Sequence, residues 1–424
     1  MSLTLIITVI ALTLGQAPAQ PPLPTTPDGC VTTLRTYVMN AQRAAQPLTA
    51  DAVRKIEADK LVMAKRCSAQ FTVAGVAETD LPGLIALYGE SGEPEKASAA
   101  ITRALASKTM AAASRAQVLS QAVIAGLREP KSDARNQKLE QWVDALDALP
   151  GDHLDVQFTT HSRMNGYYRG DDIDDGIIKH STWIINRAKS FTPAQRTTYG
   201  SPVISAYINM AEAVSGRGDN TRAQALLTEA RSKWGDIRNA NGMLDPVIAR
   251  YALVGTVGAP ISAPRWLNAP ANTRLPMTGA VTLLEFTAHW CGPCKESYPG
   301  LKRLLAKYGP QGFRVVLSTE LYGYFGSERG LSAEDEIARD KDYFAHEGLA
   351  VPIAIEDQRK PPVRNADGTF TYFDNPNDKA YEVGGIPQIH LIDRQGRIRL
   401  IMVGYDDANE KGLAALIEKL LKEK

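Results

Sequence analysis

The hydrophobic pattern of this chain changes period near residue 255, and that change constrains the fold more than any other feature. From Thr32 to about Arg250 the chain is rich in Ala, Leu, Arg, Glu and Gln, with apolar residues at three- and four-residue spacing and breaks at Gly, Pro and Asp. That spacing predicts successive amphipathic helices. After the proline-rich stretch "VGTVGAPISAPRWLNAPANTRLP" the texture becomes short apolar runs, "AVTLLEFTA", "FRVVLST", "AVPIAIE", "PQIHLID" and "RIRLIMVG", separated by helical segments at 298–308, 334–346 and 409–421. Such alternation predicts an α/β sheet domain. The expected organisation is therefore multidomain: an all-α array of helical hairpins over residues 20–255, then an α/β domain over residues 256–424, with a boundary linker at about 256–275.

With 424 residues and 44% hydrophobic content, each part can bury its own core. Lysine plus arginine (48) nearly cancels aspartate plus glutamate (47), so the chain has no basic footprint for nucleic acid. The N-terminus, "MSLTLIITVIALTLGQAPAQ", has no charged side chain before Asp28, an apolar run from Leu3 to Leu14, and the small-x-small sequence Ala17-Pro18-Ala19. It predicts a signal peptide over residues 1–19, and hence a periplasmic or secreted protein, with an uncleaved membrane anchor as the alternative. The usual early Lys or Arg is missing, and the apolar run is short of the about 20 residues a membrane span needs.

Export changes how Cys30 and Cys67 are read, since disulfides persist outside the cytosol. Cys30 opens an amphipathic segment running to about Ala45, "QPLT" makes a turn at 46–49, and a second helical segment runs from Ala50 to about Cys67. In an antiparallel helix pair the two cysteines lie nearly equidistant from that turn, which predicts a structural disulfide. Two buried, unpaired cysteines are the alternative.

Within the helical half, Gly92 is followed by Ala97, Ile101 and Ala104, and Gly218 by Ala223, Leu227 and Ala230, at the same steps of about five, nine and twelve. A weaker match begins at Gly176 with Ser181, Ile185 and Ala188. These units resemble the second halves of tetratricopeptide repeats, in which small residues let paired helices approach. The full repeat signature occurs nowhere, and an all-helical domain of another family explains most of the same pattern.

The stretch "EFTAHWCGPCKESYPG", from Glu285 to Gly300, carries the chemistry. A Cys-x-x-Cys pair alone is ambiguous between zinc and redox work. A closed zinc site needs four ligands, and the chain has no second such pair and no His-x-x-x-His. The redox reading explains more: "TLLEFTA" ends a strand and "CKESYPGLKRLLAKY" is helical, so Cys291 falls at a helix N-terminus, where amide donors and the helix dipole stabilise a thiolate. Cys291 is then the attacking sulfur. Cys294, one turn further in, resolves the mixed disulfide.

The motif "WCGPCK" resembles the thioredoxin active site residue for residue, and Glu285, Pro299 and the Ile386-Pro387 pair of "YEVGGIPQ" fill the positions where that family has an acid, a helix-bending proline and an isoleucine-proline. The resemblance implies a thioredoxin-like fold from about Gly258 to Lys424. It implies that Glu285 lies beneath the cysteines with a raised pKa and exchanges a proton with Cys294. It also implies that Pro387 follows a cis bond and faces the disulfide, that the Ile386 backbone pairs with extended substrate, and that Trp290 shields the dithiol. Lys295 reads as a surface lysine, His390 as structural, and His289 either as tuning the cysteines when protonated or as an exposed spectator. The added helix and strand between "FRVVLSTE" and "YEVGGIP", with the polar loop at 358–377, resemble thioredoxin-like proteins of the TlpA and ResA type. Two departures stand out: Glu285 occupies a position where those relatives commonly carry Asn, and Ala288 stands where a peroxiredoxin has threonine.

The expected function is an exported thiol-disulfide oxidoreductase that reduces protein disulfides through Cys291 and Cys294, with no metal and no cofactor. The Gly-Pro dipeptide is shared with thioredoxin at about −270 mV, about 150 mV below strong oxidants, a gap worth about 7 kcal/mol. An oxidase or isomerase of the same fold, or a helical-repeat binding scaffold with an accessory redox domain, are the alternatives. The expected partners are a protein disulfide substrate, an upstream electron donor such as a membrane thiol relay, and a protein held by the helical domain.

Overall fold

Thr26 starts the first helix by accepting a hydrogen bond from Gly29 N–H at 3.1 Å, with Pro27 and Asp28 in the first turn. The computed structural model describes residues 23–45, 50–170, 174–360, 363–364, 370–371, 374–405 and 407–423. The expected signal peptide, the turn at 46–49 and residues 361–362, 365–369 and 372–373 of the polar loop lie outside the described residues. No described helix is long and apolar enough to cross a membrane. The described chain forms two compact units that divide after Thr160.

The first unit contains α1 (Pro27–Ala44), α2 (Ala50–Ser68), α3 (Leu81–Glu90), α4 (Pro94–Ala106), α5 (Ala112–Gly126), α6 (Asp133–Asp147) and the start of α7 (Leu154–Gly170). Sequence neighbours pack as hairpins, α1 with α2, α3 with α4 and α5 with α6. Cys30, Val31 and Leu34 of α1 pack against Ala64 and Cys67 of α2, and Cys30 and Cys67 are disulfide-bonded across a Cα separation of 6.1 Å.

The second unit begins with α8 (Asp174–Ala188), α9 (Pro193–Gly216), α10 (Asn220–Trp234) and α11 (Ala240–Ala252). Gly92 and Gly218 hold corresponding places, with φ of +71° and +88°. Each ends a helix by a six-to-one hydrogen bond, Glu93 N–H to Tyr88 O at 2.9 Å and Asp219 N–H to Val214 O at 3.0 Å, the closure that a glycine in the left-handed region allows. The small residues that follow, Ala97 and Ala104, Ala223 and Ala230, are buried. Gly176 differs: it lies inside α8, where a Cβ would meet the Tyr168 ring at 2.3 Å. That third match is a packing glycine, not a turn.

The same unit continues through β1 (Ile261–Ser262), β2 (Arg265–Leu267), β3 (Arg274–Leu275), β4 (Val281–Phe286), α12 (Gly292–Tyr308), β5 (Phe313–Glu320), β6 (Tyr324–Phe325), β7 (Glu328–Arg329), α13 (Ala333–His346), β8 (Ile353–Glu356), β9 (Val363–Arg364), β10 (Phe370–Thr371), α14 (Pro376–Ala380), β11 (Gln388–Ile392), β12 (Ile398–Val403) and α15 (Asp407–Lys422). The main sheet has the order β12-β11-β4-β5-β8-β2, with β4, β5 and β8 parallel and β11, β12 and β2 antiparallel to their neighbours. All of β4 is buried, as expected of a central strand covered on both faces.

The stretch expected to be a linker is part of this architecture. Gly255 N–H donates to Ile398 O at 2.8 Å and Ile398 N–H to Thr256 O at 2.9 Å. β1 pairs with β3, and β2 joins the sheet through Trp266 opposite Ala354. Its prolines are compatible with this because edge strands, unlike central ones, tolerate a missing donor. On the far side, Ser215 Oγ donates to Ile401 O at 3.1 Å and Asn220 Nδ2 to Arg399 O at 2.9 Å.

Candidate active site

Alternation along β4 puts Val281, Leu283 and Glu285 on one face and Thr282, Leu284 and Phe286 on the other. Val281 and Leu283 share a core cluster with Tyr298, Leu301 and Leu304 of α12, and Glu285 meets Ser297 of the same helix. Ser297 Oγ lies 3.0 Å from each carboxyl oxygen of Glu285 and 2.7 Å from the main-chain oxygen of Cys294. A hydroxyl has one proton and a carbonyl can only accept. With the Glu285 carboxyl neutral, one carboxyl oxygen donates to Ser297 and Ser297 in turn donates to Cys294 O; with the carboxyl ionised, the single Ser297 proton is divided between Glu285 and Cys294 O. Complete burial favours the neutral form and pushes the Glu285 pKa up to about 8, against the hydrogen bond from Ser297.

Cys291 is the N-cap of α12, and its Sγ accepts from Cys294 N–H at 3.2 Å. The two sulfurs form a disulfide, with Cα atoms 5.3 Å apart. Cys291 is 3% exposed and Cys294 is fully buried. With Gly292 and Pro293 between them, no charged side chain intervenes, and the first-turn amide of Cys294 is directed at Cys291 Sγ.

Beside this pair opens a cleft of about 280 Å³, lined on one wall by Phe286, Trp290 and Tyr322 and on the other by residues 383–386. Trp290 is 49% exposed and stands edge-on to Tyr322, with ring centroids 5.5 Å apart. Ile386 packs against the core cluster that contains both cysteines, and the Ile386–Pro387 peptide is cis. The Ile386 main chain hydrogen-bonds to no described residue. The cleft floor is polar: Arg359 Nε donates to Glu320 Oε2 at 2.7 Å, and its guanidinium also pairs with Asp378. Burial nonetheless raises the Glu320 pKa above the usual carboxylate value.

The structure thus brings together Cys291, Cys294 and Glu285, with Trp290, Ile386 and Pro387 around the same cleft, while Cys30 and Cys67 belong to the first unit. His289 is not an exposed spectator. It is 5% exposed and stacked on Phe325 at 4.6 Å, and burial lowers its pKa, which disfavours the charged form. Lys295 is exposed and lies 5.1 Å from the Tyr343 ring centroid. His390 is fully buried, with its pKa pushed down to about 3 by burial and by nearby Arg250.

Sequence reasoning missed Ser297, Tyr322, Glu320, Arg359 and Asp378. For Ser297 a signal existed, three residues after Cys294 on the helix face that meets β4. The others reach the cleft from loops, a strand end and the short helix α14.

No family model matches the chain. Among curated proteins it is similar to the thiol-disulfide oxidoreductase ResA of Geobacillus kaustophilus, 29% identical over 126 residues, which is 30% of this chain and 56% of the relative. It is similar to the ResA of Geobacillus thermodenitrificans over the same shares of both chains, at 28% identity. The chain carries a thioredoxin-like domain of the TlpA/ResA type. It spans just over half the length of these curated relatives. Among solved structures, the thioredoxin domain of a thiol-disulfide oxidoreductase from Bacteroides vulgatus aligns with 40% of this chain and 98% of its own, at 16% identity and a TM-score of 0.28. In a thioredoxin-like domain of this type, Glu285 is the departure of most consequence, since an ionisable acid stands where Asn is common.

Proposed function

We propose that this chain is an exported thiol-disulfide oxidoreductase that reduces protein disulfides, with residues 256–424 as its thioredoxin-like domain and Cys291, Cys294, Glu285 and Pro387 as its working residues. The observation that supports it most is the linkage of a helix-capping sulfur, Cys291, through the first turn of α12 and Ser297 to a neutral, buried acid.

In the reduced protein the Cys291 thiolate attacks one sulfur of the substrate disulfide. The substrate S–S bond breaks, a mixed disulfide forms, and the departing substrate thiolate takes a proton from solvent. Glu285, ionised once its own proton has passed to solvent, then accepts the Cys294 proton. The Cys294 thiolate attacks Cys291 Sγ, the mixed disulfide breaks, and the second substrate sulfur leaves as a thiol with the proton returned by Glu285. Two electrons pass to the substrate, and Cys291–Cys294 is left as the disulfide. An external thiol donor must reduce it again. Trp290 and the free main chain of Ile386 frame the strip along which an extended substrate segment lies.

The reductive direction is supported by the Gly292-Pro293 dipeptide and is tested by the potential of the pair. A value near −270 mV supports it, and one above about −180 mV overturns it. Export is supported by the N-terminal apolar segment and by the disulfide between Cys30 and Cys67. The two equivalent glycine closures at Gly92 and Gly218 support a tetratricopeptide-like reading of the helices.

A further inference from the structure

Arg250 lies in the last turn of α11, in the helical half of the sequence, and is 4% exposed. A buried guanidinium needs partners for its donors, and those of Arg250 are unusual. Nη1 donates to Glu212 Oε1 of α9 at 3.1 Å, and Glu212 is also paired with Arg169. Nε donates to the main-chain oxygen of Glu382 at 3.1 Å. Glu382 has φ +49°, a left-handed conformation that a non-glycine residue adopts only when its surroundings hold it there. It opens the segment 382–386, which forms one wall of the cleft and ends in the Ile386–Pro387 bond.

Gln388 grips the same segment from the sheet side. Its Nε2 donates to Tyr381 O at 3.0 Å, and Gly384 N–H donates to its Oε1 at 3.1 Å. Gly384 also lies directly on the guanidinium: a Cβ there would be 1.8 Å from Arg250 Nη2. The absence of a side chain at Gly384 is what lets the loop seat on Arg250.

We infer that Arg250 is a positioning residue for the substrate-gripping segment 382–386, so that α9 and α11 serve the redox site; this rests on the oxidoreductase reading above. The planar fork of arginine satisfies Glu212 and the Glu382 carbonyl at fixed angles, and a lysine ammonium cannot reproduce that geometry. The segment is held in its binding shape before substrate arrives, which removes an ordering cost from binding. Arg250 touches neither sulfur, so its loss weakens substrate binding and leaves sulfur chemistry unchanged.

The test is single-turnover reduction of insulin by the pre-reduced full chain, beside reduction of the small disulfide 5,5′-dithiobis(2-nitrobenzoate). Arg250→Lys raises the half-saturating insulin concentration about tenfold, and leaves the saturating rate and the small-disulfide rate within about twofold. Glu212→Gln shifts the insulin value in the same direction. Amide hydrogen exchange across 382–386 accelerates in both variants without substrate. Unchanged half-saturation and exchange in folded variants overturns the inference, and so does an equal loss with insulin and the small disulfide. Where those variants fail to fold, Glu212→Asp, which shortens the carboxylate that holds Arg250, must accelerate exchange across 382–386; unchanged exchange in it also overturns the inference. A wild-type chain that reduces neither probe defeats the oxidoreductase reading, and the exchange measurement still decides the role of Arg250.

Discussion

Ser297 Oγ is equidistant, at 3.0 Å, from both carboxyl oxygens of Glu285. Ser297 thus links the buried carboxyl to the main chain of Cys294 on α12.

Glu285 makes the oxidised protein less stable as pH rises. Its folded pKa of about 8 exceeds the ordinary value of 4.5, so the native state holds a proton that the unfolded chain has released. The stabilisation is fully present below the unfolded value and is lost as pH climbs through the folded one, by roughly 5 kcal/mol in total. Denaturant unfolding of wild type and Glu285→Gln should show this loss in wild type and not in the variant, after subtraction of the slope common to both. The variant also resolves mixed disulfides about 10²-fold more slowly, because it lacks the base for Cys294.

Cys294→Ser should accumulate substrates covalently bound through Cys291, and Cys291→Ser should trap none. Non-reducing electrophoresis followed by mass spectrometry distinguishes them. Equal trapping by the two variants would show that Cys291 is not the attacking sulfur.

The Cys30–Cys67 bond closes a loop with a sequence separation of 37, which in the chain-entropy model stabilises by about 2–4 kcal/mol. Replacing both residues with alanine should lower the unfolding free energy of the first unit by that amount, read from denaturant titration. Reactivity at Cys291 should not change, and an altered rate of insulin reduction would contradict the assignment of this pair as purely structural.

Trp290 exposes half its surface at the cleft mouth while its edge contact with Tyr322 fixes the indole. Trp290→Ala should lower kcat/KM for insulin about tenfold, as expected for an aromatic anchor. The fall should appear mainly in KM.

Much of this site was legible because its parts are local. Cys291, Gly292, Pro293 and Cys294 lie within one turn, a strand before them and a helix after them are visible in the hydrophobic period, and Ile386-Pro387 is a recognisable pair. The helices bearing Cys30 and Cys67 were legible for the same reason, with bounds at Pro27–Ala44 and Ala50–Ser68. The failures were of long-range contact. Arg250 meets Glu382 across 132 residues, and nothing in "VIARYALVG" distinguishes this arginine from one that faces water. β2 was hidden by neighbouring prolines, which signal a linker until a partner strand such as β8 is known to lie alongside. His289 looked exposed because the aromatic side chains that bury it, Tyr322, Tyr324 and Phe325, come from a separate loop and hairpin.

The bonds from Ser215 and Asn220 to the carbonyls of β12 bear on how this protein can be dissected. Those two side chains occupy acceptors that an unpaired outer strand would otherwise offer to another molecule. A fragment cut at residue 255 would keep the dithiol but bare that strand, and the fragment should self-associate in light scattering at concentrations where the full chain does not. That outcome would put the start of the stable redox unit upstream of the sheet, with the helices that cap its edge.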